Sequence, residues 1–145
     1  MNYLDTSALV KRFVEEPGSD LVDELFLRAE PAATARVAAA EAHAAFARRW
    51  RDRSISERGF LRLRRDFDRD WPSLVRVDVT EQVVRRVREL VRRHPLRGYD
   101  AIHLAAALEL ASELGAAVTF VTADEKLGRA ARAERLPVID PESPG

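Results

Sequence analysis

Four carboxylates stand at positions where an acid contributes little to packing. The chain opens with MNYLDTSALV, in which Asp5 ends an apolar stretch that is predicted to form a strand. Asp124 follows the predicted strand AVTFVT, and Asp100 lies at the start of the apolar helix that precedes it. Glu41 lies inside an alanine-rich helix, where burying an isolated charge would be costly. A cation shared by the four acids would offset that cost.

The chemistry that such acids support together is the binding of a divalent cation. Taken alone, each Asp has a simpler role as a helix cap or a partner of the helix dipole, and Glu41 could be a half-exposed helix residue. Clustered carboxylates repel each other strongly unless a cation lies among them, so neutralising Glu41 is expected to stabilise the metal-free protein. Oxygen ligands favour Mg²⁺ or Mn²⁺ over zinc.

Polar residues beside the acids can each be interpreted in two ways. Thr6 and Thr122 flank the acids and could orient a carboxylate or a water, with helix capping as the equal alternative. His103 shares a helix face with Asp100 at a spacing of three residues. We interpret His103 and His43 as ordinary hydrogen-bonded histidines rather than as metal ligands.

Alternating strand and helix patterns predict an α/β fold with a central parallel sheet covered on both faces. Ser54 and Glu57 have capping-box spacing, Thr80 can cap the fifth helix, and Gly115 should end the sixth. Ligands of such sheets bind outside the carboxyl ends of the strands, where three of the acids fall. The predicted strands span 2–5, 32–35, 74–79, 117–122 and 137–140, and the predicted helices span 6–16, 19–29, 36–50, 54–71, 81–93, 99–114 and 124–134.

The composition indicates a single soluble domain. The chain has 145 residues, of which 46% are hydrophobic, and this is enough for a core in a domain of common size. It has no cysteine, no apolar run as long as a membrane span and no evident signal peptide, so a cytoplasmic protein is expected. We predict one domain over residues 1–141, followed by a short polar tail over 142–145.

The net charge of zero hides a basic centre. Residues 48–97 carry sixteen Arg and eight acids, a net charge of +8, whereas residues 1–47 and 98–145 each carry four bases and eight acids. Arg suits phosphate, because its planar guanidinium can donate two hydrogen bonds at once. Two predicted helices carry arginine faces, for which a merely solvated surface is the alternative. The first face is Arg85, Arg88, Arg92 and Arg93, and the second is Arg62, Arg64, Arg65 and Arg69.

Four segments resemble the PIN domain, and in detail the VapC toxins of bacterial and archaeal toxin–antitoxin pairs. The resemblance covers the chain end to end, and the segments have the order and spacing of the family. They are YLDTSALVKRFVEEPGS, AAAEAHAAFARR, GYDAIHLAAAL and FVTADEKLGRAARAERLPVID.

The resemblance implies a metal-dependent ribonuclease with a three-layer α/β/α fold. The acidic quartet of the family corresponds to Asp5, Glu41, Asp100 and Asp124, and because none of the four is replaced by a neutral residue, an active enzyme is implied. We expect the three Asp to hold one or two Mg²⁺ or Mn²⁺ ions, with Glu41 completing the site directly or through water. Activated water would then attack phosphorus in line, and the family implies products with a 3′-hydroxyl and a 5′-phosphate.

The resemblance also implies partners. It implies RNA as the substrate, inhibition by a VapB-like antitoxin and assembly into a homodimer. The two arginine faces then become candidates for binding RNA phosphates or an acidic segment of the antitoxin.

Two other functions would fit the same elements. A phosphoryl-accepting receiver domain also places acids around Mg²⁺ on a parallel sheet, but it would show two adjacent acids after the first strand, where this chain has Asp5 and Thr6. A non-catalytic RNA-binding or scaffold protein on the same fold is the second alternative, and the intact quartet argues against it.

Overall fold

Five short strands form one parallel sheet in the computed structural model, which describes residues 1–143. The strand order is β3-β2-β1-β4-β5, and every pair of neighbours is parallel. Residues 144 and 145 of the predicted polar tail lie outside the described residues. The strands are β1 (Asn2–Leu4), β2 (Ala33–Ala35), β3 (Val75–Val77), β4 (Thr119–Val121) and β5 (Val138–Ile139).

Helices connect the strands, as the alternating sequence pattern predicts. They are α1 (Thr6–Val10), α2 (Ser19–Phe26), α3 (Ala38–Arg51), α4 (Glu57–Asp70), α5 (Glu81–Arg93), α6 (Gly98–Leu114) and α7 (Glu125–Ala133), with a 3₁₀ turn at Trp71–Ser73 after α4. Within residues 1–143, no helix combines the length and the apolar character needed to cross a bilayer.

The sheet separates two hydrophobic cores, because successive side chains of a strand point to opposite faces. Tyr3 and Phe120 stack with ring centroids 5.5 Å apart and pack with α5, α6 and α7 on one face. Leu4 and Val121 pack with α1 to α4 on the other face. The predicted three-layer α/β/α arrangement is therefore confirmed.

The first helix is shorter than predicted. The sequence pattern suggests a helix over 6–16, whereas α1 ends at Val10. Beyond that point the amides of Lys11, Arg12 and Phe13 donate to carbonyls three residues back, which tightens the chain into 3₁₀-type turns. This early end turns the side chain of Lys11 into the protein, where it is buried.

Three predicted helix boundaries have different outcomes. Thr80 caps α5 by accepting from the amide of Val83, and Gly115 ends α6 in the left-handed conformation at a φ of 60°, both as predicted. The prediction of Ser54 as the cap of α4 is wrong, because Ser56 Oγ accepts from the Gly59 amide at 3.1 Å.

The order of the strands creates a topological switch point between β1 and β4. The chain builds outward through β2 and β3 on one side of β1 and then crosses to β4 on the other side. The pairing of Leu4 with Val121 and a 3.2 Å hydrogen bond from the Asp5 amide to the Val121 carbonyl align the two strand ends. The residues that follow β1 and β4 therefore meet at the edge where such sheets bind ligands.

Candidate active site

Asp5 is a buried carboxylate at the switch point. Its Oδ1 accepts from Ser7 Oγ at 2.7 Å and from the Ala8 amide at 2.9 Å, and its Oδ2 accepts from Thr122 Oγ1 at 2.7 Å. Only 4% of the residue is exposed, and within residues 1–143 it forms no ion pair with a basic side chain. Burial raises the pKa of Asp5, and the nearby His103 and these hydrogen bonds oppose the rise without cancelling it.

Thr122 links Asp5 to Asp124. The amide of Asp124 donates to Thr122 Oγ1 at 3.0 Å, while the Thr122 hydroxyl donates to Asp5. Asp124 Oδ1 accepts from the Leu127 amide at 3.0 Å and so caps α7, as Asp5 caps α1 through the Ala8 amide. The capping role that the sequence allows for both acids is thus realised, and each carboxylate keeps lone pairs for another ligand.

Glu41 belongs to a second group of hydrogen-bonded side chains. Its Oε1 accepts from Thr6 Oγ1 at 2.7 Å and lies 2.8 Å from His103 Nε2. His103 Nδ1 lies 2.9 Å from the hydroxyl of Tyr3, which is buried in β1. In the neutral imidazole, Nε2–H donates to Glu41 and Nδ1 accepts from the tyrosine.

The surroundings of Glu41 favour its charged form. Burial alone would raise its pKa, but hydrogen bonds from His103 and Thr6 and the charges of His103 and Arg97 outweigh burial, so that the pKa lies below the ordinary glutamate value. This direction is opposite to the one that the expected repulsion among the acids would give at Glu41. At Asp5, in contrast to Glu41, burial disfavours the charged form.

Asp100 and Asp124 face a common open cavity of about 620 Å³. Asp100 lies in the first turn of α6, where Arg97 takes the cap position without a side-chain cap bond, so the capping alternative is not realised for Asp100. Arg97 Nε lies 3.4 Å from Asp100 Oδ2. The cavity is lined by Pro95, Arg97, Asp100, Asp124, Glu125 and Lys126.

The oxygen atoms of the four acids are ligands that suit a hard cation. Within residues 1–143, no three His, Asp or Glu side chains converge closely enough to enclose a metal ion in the metal-free arrangement. The acids are instead connected pairwise, through Thr122 between Asp5 and Asp124 and through the shared cavity between Asp124 and Asp100. All of these donors are oxygens, and the buried Asp5 has no basic side chain as an ion-pair partner within residues 1–143, so the residues fit Mg²⁺ or Mn²⁺ better than zinc.

Comparison with known proteins identifies the family. A family model described as PIN domain matches residues 3–133. The chain belongs to the PIN domain family. Ribonuclease VapC45 from Mycobacterium tuberculosis is 37% identical to this PIN domain over 106 residues, which cover 73% of this chain and 74% of that protein. Ribonuclease VapC46 from the same species is 34% identical over 142 residues, which cover 96% of each protein.

A solved structure shows the same PIN domain fold. A toxin–antitoxin complex from Klebsiella pneumoniae matches with a TM-score of 0.66 at 16% identity, and the match covers 97% of this chain and 98% of that chain. Together with the two VapC ribonucleases, the match places the chain among VapC-like PIN domains. The receiver-domain alternative is thereby excluded.

The arginine face of α5 lies apart from the acids of the PIN domain. Arg85, Arg86 and Arg93 line a different cavity of about 340 Å³. Arg92 pairs with Glu89, and Arg93 pairs with Glu134 at 2.8 Å, so half of the predicted set already has carboxylate partners.

Two features of the site escape analysis of the sequence. The first is a chain of hydrogen-bonding contacts that runs from Glu41 through His103 to Tyr3. The sequence signal for it is that His103 shares a helix face with Asp100, three residues earlier. The interpretation of His103 as an ordinary hydrogen-bonded histidine agrees with these contacts, and His43 packs its ring against Phe46 and Phe67.

The second feature is the pair of basic residues that border the acid-lined cavity. Arg97 and Lys126 lie next to Asp100 and Asp124 in the lining, although neither belongs to the predicted arginine faces. A charge count over blocks of sequence cannot find Lys126, because it lies in a block that is acidic on average, and Arg97 is one of sixteen arginines in the basic block.

Proposed function

We propose that this chain is a metal-dependent endoribonuclease and the toxin of a toxin–antitoxin pair. The observation that carries the proposal is Asp5, a buried carboxylate at the switch point that has no basic partner within residues 1–143 and is tied through Thr122 to Asp124. The relatives VapC45 and VapC46 are named ribonucleases, and the solved structure from Klebsiella pneumoniae is a toxin–antitoxin complex. These names support both parts of the proposal.

The acidic quartet would hold the metal. Asp5, Asp100 and Asp124 would bind Mg²⁺ or Mn²⁺, and Glu41 would complete the site directly or through water. Such an ion, when bound, supplies an activated water and a charge that stabilises the leaving oxygen of the phosphodiester.

The remaining residues of the site position the acids. The hydroxyls of Ser7 and Thr122 fix the two oxygens of Asp5, and Thr6 with His103 fixes Glu41. Because its pKa is lowered, Glu41 is ionised at neutral pH and acts as an acceptor rather than as a proton donor.

The partners follow from the same proposal. The substrate is RNA, a VapB-like antitoxin inhibits the enzyme, and the active form is a homodimer in the cytoplasm. Arg85, Arg88, Arg92 and Arg93 are proposed to contact RNA phosphates, so replacing Arg88 and Arg92 by Gln should weaken RNA binding and lower its salt dependence by up to about one unit of slope per lost contact.

Cleavage of a labelled RNA by the purified full chain, free of antitoxin, tests the proposal. We expect cleavage with Mg²⁺ or Mn²⁺, no cleavage with EDTA, and a loss of activity in Asp100→Asn. Asp68→Asn is the matched control, since this exposed residue of α4 lies outside the site. Tight RNA binding without metal-dependent cleavage would favour the non-catalytic alternative instead.

A further inference from the structure

A second cavity adjoins the acid-lined one. Its volume is about 320 Å³, and no acid is among the residues that line it. It shares Pro95 and Lys126 with the cavity of Asp100 and Asp124, so the two cavities lie side by side at these two residues. The second cavity is lined by His94, Pro95, Lys126, Arg129, Ala130 and Ala133.

Two basic residues of this second cavity, Lys126 and Arg129, are available to a ligand, whereas His94 already contacts Glu134 at 2.8 Å. Lys126 forms no ion pair within residues 1–143, whereas Lys11, the other lysine, forms two. Arg129 pairs with Glu125, but the two side chains are 69% and 79% exposed, and such a surface pair is weak. A phosphate could therefore replace Glu125 as the partner of Arg129 at little cost.

The floor of the cavity is apolar. Pro95, Ala130 and Ala133 contribute a surface without hydrogen-bonding side chains, beside the two cationic groups. Proteins bind single-stranded nucleic acids with a positively charged groove for the backbone and aromatic side chains on which the bases stack. In this cavity Lys126 and Arg129 supply the charge, and an apolar surface takes the place of the aromatic side chains. The volume is at the lower end of the range for small-ligand sites, which suits one nucleotide.

We propose that the second cavity binds the nucleotide next to the scissile bond of a single-stranded RNA. This inference rests on the proposed function, which places the scissile phosphate at Asp100 and Asp124. Lys126 and Arg129 bind the adjacent phosphate, and the apolar floor supports the sugar or base of that nucleotide. The arrangement solves an electrostatic problem of the acid-lined cavity, because cations beside it attract the substrate that its carboxylates repel.

RNA affinity measured at several salt concentrations tests this subsite. The probe is a fluorescent single-stranded RNA of about 12 nucleotides in the presence of EDTA, which prevents cleavage. Lys126→Gln/Arg129→Gln should weaken binding about tenfold and lower the slope of log K against log salt by about 0.7 for one lost phosphate contact. The control Arg132→Gln/Arg135→Gln removes the same charge from residues that line neither cavity, and it should leave the slope unchanged.

A variant without a charge change tests whether RNA enters the cavity. Ala133→Leu fills the space and should weaken binding while the salt slope stays at the wild-type value. Wild-type affinity in this variant, or equal slopes in the two double variants, would overturn the subsite. If the wild type cleaves RNA while the subsite variants bind normally, only this inference fails, whereas a wild type that neither binds nor cleaves RNA overturns the proposed function as well.

Discussion

The two ends of α1 each bury a charged side chain, and they treat it in opposite ways. Asp5 and Lys11 are both only 4% exposed. The ammonium of Lys11 lies 3.0 Å from carboxylate oxygens of Glu16 and of Glu142, a residue of the predicted polar tail. Asp5 instead accepts hydrogen bonds from two hydroxyls and one amide, and no basic side chain of the described residues 1–143 pairs with it.

The comparison shows that the protein supplies carboxylate partners for the buried Lys11 but no basic partner for the buried Asp5 within residues 1–143. Burial alone would lower the pKa of Lys11, but its hydrogen bonds with Glu142 and Glu16 outweigh burial and raise the pKa. At Asp5 burial prevails and the pKa is raised, so that the charged form is disfavoured. Lys11 therefore belongs to the structure, while Asp5 is an acid that a ligand cation would complete.

The largest effect is expected from Asp5→Asn on catalysis. The change preserves the shape of the side chain and an acceptor for the α1 cap, but it removes a charged ligand. The rate of Mg²⁺-dependent RNA cleavage should fall by more than about 100-fold, because metal stabilisation of the transition state contributes several kcal/mol. Single-turnover cleavage at saturating Mg²⁺ measures this, and wild-type cleavage would remove Asp5 from the site.

Lys11→Met should affect stability instead. It leaves Glu142 without its cation and Glu16 with Arg49 as its remaining partner, and because these acids are partly exposed the free energy of unfolding should fall by about 2 kcal/mol. Denaturant titration measures the loss, with Lys126→Met at the only other lysine as the exposed control. The rate of RNA cleavage per folded molecule should stay at the wild-type level. A lower rate would show that Lys11, at the end of α1, also contributes to catalysis.

The pH dependence of stability distinguishes the two ends further. Because the folded-state pKa of Asp5 is raised, the metal-free protein is stabilised when this carboxyl is protonated, and it loses that stability as pH rises above the ordinary aspartate pKa of about 3.9. The stability of Asp5→Asn relative to the wild type should therefore increase with pH. Denaturant titrations in EDTA across this pH range measure the difference, and a constant difference would contradict the burial argument.

The smallest effect is expected from Glu41→Gln in the absence of metal. The variant keeps acceptors for Thr6 and His103 but loses the charge that strengthens both bonds, so the free energy of unfolding should fall by about 1 kcal/mol. Thermal melting in EDTA measures the change. An increase in stability would mean that repulsion among the acids dominates after all.

The fold and the acids of the candidate site were predictable because their signals are local. Alternating strand and helix patterns gave the layers, and Asp5 and Asp124 stand directly after short apolar strands. Helix caps were less certain, since Ser54 has capping-box spacing with Glu57 and yet Ser56, which lacks that spacing, caps the helix.

Whether a buried charged side chain has an oppositely charged partner could not be predicted from such local signals. The partners of Lys11 lie five and 131 residues away, and no pattern in the sequence links Glu142 to the end of α1. The early end of α1 and the adjacency of the two cavities likewise depend on the tertiary arrangement. Distant pairs of this kind require the order of the strands, which periodicity does not supply.

Stabilisation of the folded protein by Mg²⁺ tests most directly whether Asp5, and not Lys11, belongs to a metal site. A ligand that binds only the folded state adds about 2.7 kcal/mol to the free energy of unfolding at 100 times its dissociation constant. Denaturant titrations with and without Mg²⁺ should show a gain of stability in the wild type and the same gain in Lys11→Met, but little or none in Asp5→Asn. An equal gain in Asp5→Asn would contradict the account, because the buried acid at the switch point would then not be the ligand of the metal.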